Sequence, residues 1–204
     1  MQLFMKRLRK RHGDGIRFFG CGEYGDKFGR PHYHICLFNF DFSDRVLHST
    51  RGETKYYVSS DLNSLWPYGL SIIGDVTFES AAYVARYITK KLTGDLAKDH
   101  YGTCLPEFTL MSRRPGIGRP FLEKFSAFIY PHDSVLVRGR KMHPPKFYDS
   151  RLEITSPREY KSIKARRRRK QFLAVDDNTQ SRLLVKETCA KAKFKQLKRS
   201  YEND

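Results

Sequence analysis

The sequence predicts an α+β chain, and three observations lead there. Two strand-like segments, Ile16 to Gly22 and His32 to Phe40, flank a turn-rich stretch from Gly25 to Pro31 and read as a hairpin. Apolar residues recur at helical spacing in residues 2–12 and again from Phe78 to Leu92. Beyond Pro157 the composition turns basic, with Arg166 to Lys170 as its densest run.

The elements follow in order. Residues 2–12 place Leu3, Phe4, Met5 and Leu8 against a basic opposite side, and Gly13 and Gly15 end the helix. No Ser, Thr, Asp or Asn precedes it to cap the free backbone N–H groups. The expectation is therefore that upstream sequence is missing. Residues 56–66 read as a short helix ending at Trp66-Pro67, and Leu70 to Val76 as a third strand. Thr77 is the expected N-cap of the helix from Phe78, with Gly94 just past its end. Glu107 to Met111 reads as a fourth strand, Phe121 to Ile129 as a helix, and Ser134 to Lys146 as a short basic hairpin or loop. The division expected is residues 1–150 as one domain and 151–204 as a basic extension, helical or partly disordered.

Charge bounds the partner. The chain has 204 residues, with 39 Lys and Arg against 22 Asp and Glu, a net charge of +17. An excess of that size points to a polyanion, with nucleic acid first and an anionic membrane surface second. No apolar run is long enough to span a bilayer. Lys6 to Arg11 interrupt what would be the apolar part of a signal peptide. Cys21, Cys36, Cys104 and Cys189 show no zinc-ligand spacing and suit a reducing cytosol. No glycine-rich Walker-type loop is present, so ATP-driven unwinding by this chain is not expected.

Two constellations carry chemistry. In His32-Tyr33-His34 the two imidazoles sit at i and i+2 of a strand and so share a face. Such a pair is often mere packing, but Glu23 ends the preceding strand and could reach the same point. Two histidines and a carboxylate with open positions suit Mg²⁺ or Mn²⁺. The second constellation is Tyr83 and Tyr87, four residues apart and stacked on one helical face. At about 100° per residue, Phe78, Ala81, Ala82, Ala85, Ile88 and Leu92 form an apolar face, and the tyrosines fall nearly opposite with Lys90 beside them. Two amphipathic rings could simply close a second packing face. A phenol can also attack a phosphodiester and hold the 5′ phosphate as an ester. Lys90 or Lys91 could stabilise the phenolate or the phosphate. A second tyrosine permits a second cut and transfer of the end.

The ordered set GEYG (22–25), RPHYH (30–34) and YVARYITKK (83–91) resembles the HUH endonucleases, and within them the replication initiators of gokushovirus-type microviruses. SRRPGIGR (112–119) is similar to that group too. The resemblance covers most of residues 1–150. It implies a five-stranded central antiparallel sheet with flanking helices and a metal on one face. It also implies Glu23, His32 and His34 as ligands of Mg²⁺ or Mn²⁺, Tyr83 and Tyr87 as nucleophiles, and Lys90 as the assisting lysine. The partners implied are single-stranded DNA at a viral origin, with host helicase and polymerase, in the cytoplasm of a bacterial host; no membrane is expected. The family's threonine-rich, aromatic strand upstream of residues 2–12 has no counterpart here, so the sheet is expected to lack its first central strand.

Beyond the chemistry, Arg113, Arg114 and Arg119 flank Gly116 and Gly118, and such a loop can approach and grip DNA phosphates. Two other readings compete: a non-catalytic basic nucleic-acid-binding protein, and a plasmid relaxase or transposase carrying the same motif. The enzyme requires Glu23, His32, His34, Tyr83 and Tyr87 to converge; the simple binder does not.

Overall fold

Residues 2–12 fold as the pattern predicts. In the computed structural model, which describes residues 1–25, 28–87 and 91–196, they form α1 (Gln2–His12). Its apolar side buries Phe4, Met5 and Leu8, and Gly13 ends it at φ 98°. The two strand-like segments are β1 (Arg17–Tyr24) and β2 (Pro31–Phe38). A second hairpin follows, unforeseen in the sequence: β3 (Val46–Arg51) and β4 (Thr54–Val58). Its turn uses Gly52 at φ 59°, a conformation that suits glycine.

The helix expected over 56–66 exists only in its second part, α2 (Ser60–Leu65). Tyr56, Tyr57 and Val58 are β-favouring residues and join β4 instead. Ser59 starts the helix, its hydroxyl accepting the Leu62 N–H at 3.0 Å. The strand expected from Leu70 to Val76 reduces to one bridge, between Ile73 and Tyr57. Thr77 caps α3 (Phe78–Arg86) as predicted, in a reciprocal capping box with Ser80. Gly94 does not close that helix but precedes a further one, α4 (Asp95–Tyr101). β5 (Phe108–Met111) completes this part of the chain.

The central sheet is antiparallel, in the order β2-β1-β5. The resemblance implies five strands; among the described residues the sheet holds three. Alternation gives it two faces. Phe18, Gly20, Ile35, Leu37 and Leu110 lie on one, where α1 and α2 cover them in a core built on Phe4, Met5, Leu8, Ile16, Phe18, Phe42, Leu62 and Leu65. Leu8 is fully buried, and a leucine so buried contributes about 1.5–3 kcal/mol. The other face carries Arg17, Phe19, Cys21 and Glu23 on β1, with His32, His34, Cys36 and Phe38 opposite.

The chain divides into two units, Met1–Ile117 and Gly118 onward. The second contains α5 (Arg119–His132), a hairpin of β6 (Val135–Val137) and β7 (Arg140–Met142), and α6 (Lys146–Thr155). Then come α7 (Pro157–Leu173), a 3-10 turn at Val175–Asn178 and α8 (Gln180–Lys195). Residues 150 and 151, where composition suggested a division, lie within α6. Leu122, Ile129, Tyr130, Tyr148, Leu152 and Ile163 form this unit's core. Arg167 bridges Asp133 at 2.6 Å and Asp149 at 2.7 Å. Among the described residues no helix is long and apolar enough to cross a membrane.

Candidate active site

Period-two alternation along paired strands puts Cys21, Glu23, His32 and His34 on one face. The register sets Glu23 opposite His32 and Cys21 opposite His34. His34 Nε2 lies 3.0 Å from Glu23 Oε1. Glu23 is 6% exposed, an unusual depth for a carboxylate. His32 Nδ1 is buried and has no hydrogen-bond partner among the described residues. Gly25 lies against that imidazole: a Cβ there would come within 2.6 Å of His32 Cε1 and 3.0 Å of Nδ1. A small residue at position 25 is therefore what lets the His32 ring sit where it does.

Among the described residues no three His, Cys, Asp or Glu side chains converge on a single point. Glu23 and His34 touch; His32 shares their face without meeting them. In kind the donors suit a divalent cation: two imidazoles and a carboxylate, with one imidazole nitrogen buried and unsatisfied.

The tyrosine helix packs on this same face. The ring of Tyr87 stacks on His34, with centroids 4.7 Å apart and planes 9° apart. Tyr83 meets the same imidazole edge-on at 5.7 Å. The two phenol rings are 4.9 Å apart, and the Tyr87 hydroxyl donates a hydrogen bond to that of Tyr83. Cys21 Sγ lies 3.8 Å from the Val84 carbonyl oxygen, which seats the helix on β1. Burial pushes the Tyr87 phenol well above the usual tyrosine range, reinforced by Tyr83 and then by the Glu23 carboxylate.

The face of α3 that packs is not the aliphatic one expected from the sequence. Tyr83, Val84 and Tyr87 are buried, while Phe78 is 55% exposed and Ala85 is exposed. Alanines offer little area to bury, and two large rings with a stacking partner offer much more. α3 ends at Arg86, and Lys91 and Leu92 are not helical. Lys90 lies outside the described residues. Further on, the Tyr101 hydroxyl accepts the Leu92 N–H at 2.9 Å and donates to the buried Glu107 carboxylate, anchoring the chain beyond the tyrosines.

Two neighbours of the site are not evident from its motifs. Cys21 belongs to the site face, and its place two residues before Glu23 in the same alternation was the signal for it. Arg86 holds its guanidinium carbon 5.9 Å from the centre of the Tyr83 ring; the i, i+3 spacing was the available signal.

Of the three arginines expected to grip DNA, Arg113 and Arg114 line a cleft at the far end of β1. Arg119 begins α5 in the second unit, where its guanidinium pairs with Glu123 at 2.6 Å.

The chain's relatives bear on this site. The family model for the replication-associated protein ORF2 matches residues 1–92, a span that includes Glu23, both histidines and both tyrosines. The chain is 31% identical to replication-associated protein VP4 of Bdellovibrio phage phiMH2K, over 96% of this chain and 71% of that protein. The chain belongs to the replication-associated protein ORF2 family. It is also 39% identical to replication-associated protein ORF2 of Spiroplasma virus 4, over 74% of this chain and 48% of that relative. With replication-associated protein ORF4 of Chlamydia phage 1 it shares 38% identity over 45% of this chain and 25% of that relative. The chain thus spans about half the length of the Spiroplasma virus relative. These family members come from microviruses, in keeping with the gokushovirus-type resemblance of the motifs. No solved structure matches the chain.

Proposed function

We propose that this chain is a replication initiator that nicks single-stranded DNA at a viral origin and starts rolling-circle replication. The observation that carries this is the contact of two tyrosine hydroxyls beside the Glu23–His34 pair on one face of the sheet. The names of the phage relatives support a role in replication.

In this reading a phenol oxygen attacks the phosphorus, a 5′-phosphotyrosine bond forms, and the 3′ oxygen leaves and takes up a proton. Mg²⁺ or Mn²⁺ held by Glu23, His32 and His34 would polarise the phosphate. Tyr87, buried and beside a carboxylate, keeps its proton and donates it in a hydrogen bond to Tyr83. That bond favours negative charge on the Tyr83 oxygen, so Tyr83 makes the first attack and Tyr87 the second. Arg86 over the Tyr83 ring adds positive potential where charge develops. Lys90 would assist the leaving or attacking oxygen. The basic helix α7 adds sequence-independent affinity for DNA. Strand separation and synthesis fall to a host helicase and polymerase in the bacterial cytoplasm.

The test is cleavage of an end-labelled single-stranded oligonucleotide carrying the cognate origin, with Mn²⁺ and with EDTA. Cleavage with Mn²⁺ that EDTA abolishes is expected. No cleavage by folded protein would leave a non-catalytic nucleic-acid binder as the better reading.

A further inference from the structure

Arg17 lies on the same sheet face as Glu23, at the opposite end of β1. It lines an open cleft of about 380 Å³ together with Arg9, Asp14, Ser112, Arg113 and Arg114. Four arginines meet there, and among the described residues lining the cleft Asp14 is the one carboxylate. Their geometry is held in place. Arg9 donates twice to the Ile16 carbonyl, at 2.9 and 3.2 Å, and reaches the Ser112 hydroxyl at 3.4 Å. Ser112 in turn ties the end of β5 to β1, its N–H donating to the Phe18 carbonyl at 2.9 Å. Arg17 Nη1 donates to the Arg114 carbonyl oxygen at 3.4 Å, while Nη2 is buried with no hydrogen-bond partner among the described residues. A buried guanidinium nitrogen left unpaired is costly, and an anionic oxygen would relieve it. Arg113 and Arg114 stand exposed at the mouth, on a loop folded back by the bridge between Arg113 and Gly116.

We infer that this cleft holds a backbone phosphate of the DNA strand whose cut phosphodiester lies at the tyrosines. The inference rests on the nuclease reading for its register, not for the cleft itself. Six residues of β1 separate Arg17 from Glu23, which at about 3.3 Å each is roughly 20 Å. At a stacked spacing of ~3.4 Å per nucleotide, the gripped phosphate lies no more than about six nucleotides from the cut. Between the two points the same face offers Phe19, Phe38 and the 38%-exposed Met111, an apolar track suited to unpaired bases. Fixed guanidinium groups need little ordering on binding, and their fork matches a phosphate.

The test is fluorescence anisotropy of a labelled oligothymidylate with the Tyr83→Phe/Tyr87→Phe protein, so that no covalent step enters. Arg17→Gln and the pair Arg113→Gln/Arg114→Gln are compared with the charge-matched Arg140→Gln and Arg140→Gln/Lys141→Gln. The cleft variants are expected to bind about tenfold more weakly than their controls, with the salt slope reduced by about one for each phosphate-binding arginine replaced. Arg17→Lys, which keeps the charge but loses the fork, should fall between. The exposed loop pair keeps the test decisive should Arg17→Gln fail to fold. Cleft variants within about twofold of their controls would overturn the inference, leaving the cleft at most to a free phosphate. If wild-type protein cleaves DNA while the cleft variants bind normally, this inference alone fails. If the cleft variants lose binding but wild-type protein never cleaves, the nuclease reading fails and the cleft stands as a DNA site.

Discussion

The imidazole of His34 lies flat on the phenol of Tyr87, planes 9° apart, while its Nε2 faces Glu23 Oε1 at 3.0 Å. One ring thus packs the tyrosine helix and supplies a polar donor on the site face. The two roles can be separated. His34→Phe retains an aromatic surface for Tyr87 and removes the nitrogen. Its thermal stability should stay near wild type, while DNA cleavage falls by about 100-fold or more. His34→Ala should lose both. Cleavage by His34→Phe at the wild-type rate would show that the nitrogen has no part in the chemistry.

Gly25→Ala tests the placement of His32. The added methyl would press on the imidazole at Cε1 and Nδ1. Displacing one ligand should raise the Mn²⁺ concentration for half-maximal cleavage by about 10-fold or more. A titration of cleavage against Mn²⁺ checks this, with circular dichroism confirming that the hairpin persists.

Much of the site was legible because it rests on local periodicity. Period two set Glu23, His32 and His34 on one face, and i, i+4 spacing stacked Tyr83 on Tyr87. Which side of α3 would be buried was not legible, because that depends on a partner ring from β2. The β3–β4 hairpin was obscured by the apparent helical spacing of residues 56–66; only its pairing across Gly52 exposes Tyr56 and Tyr57 as strand. The arginine cleft joins Arg9 to Ser112 across more than half the chain, and a scan of neighbouring residues does not find such a pair.

Thr77→Ala removes the side-chain half of the capping box that starts α3. The expected loss is ~1 kcal/mol, felt first as faster amide exchange in the first turn of α3. Cleavage should decline modestly, because the tyrosines sit one and two turns further along. Unchanged exchange in residues 78–82 would contradict the role of the cap.

In the second unit, hydrogen bonds from Arg167 hold the Asp133 carboxyl below the usual aspartate range. A carboxylate with a lowered folded pKa adds stability above its unfolded value, about 3.9. That stability is lost as pH falls through the folded value. Urea melts should therefore show stability falling below about pH 4, and Asp133→Asn should flatten part of the fall. Asp177, paired with Arg182 and Lys186, carries another part. Arg167→Ala strands two largely buried carboxylates and should cost about 3–5 kcal/mol at neutral pH.

The central claim is a covalent bond between DNA and one of two tyrosines. The most direct measurement is a denaturing gel of origin-bearing single-stranded DNA incubated with Mn²⁺ and wild-type, Tyr83→Phe, Tyr87→Phe or doubly substituted protein. The account predicts a denaturant-stable adduct with wild-type protein, less of it with Tyr83→Phe than with Tyr87→Phe, and none with the double variant. An adduct that survives in the double variant, or that never forms with folded wild-type protein, would contradict it.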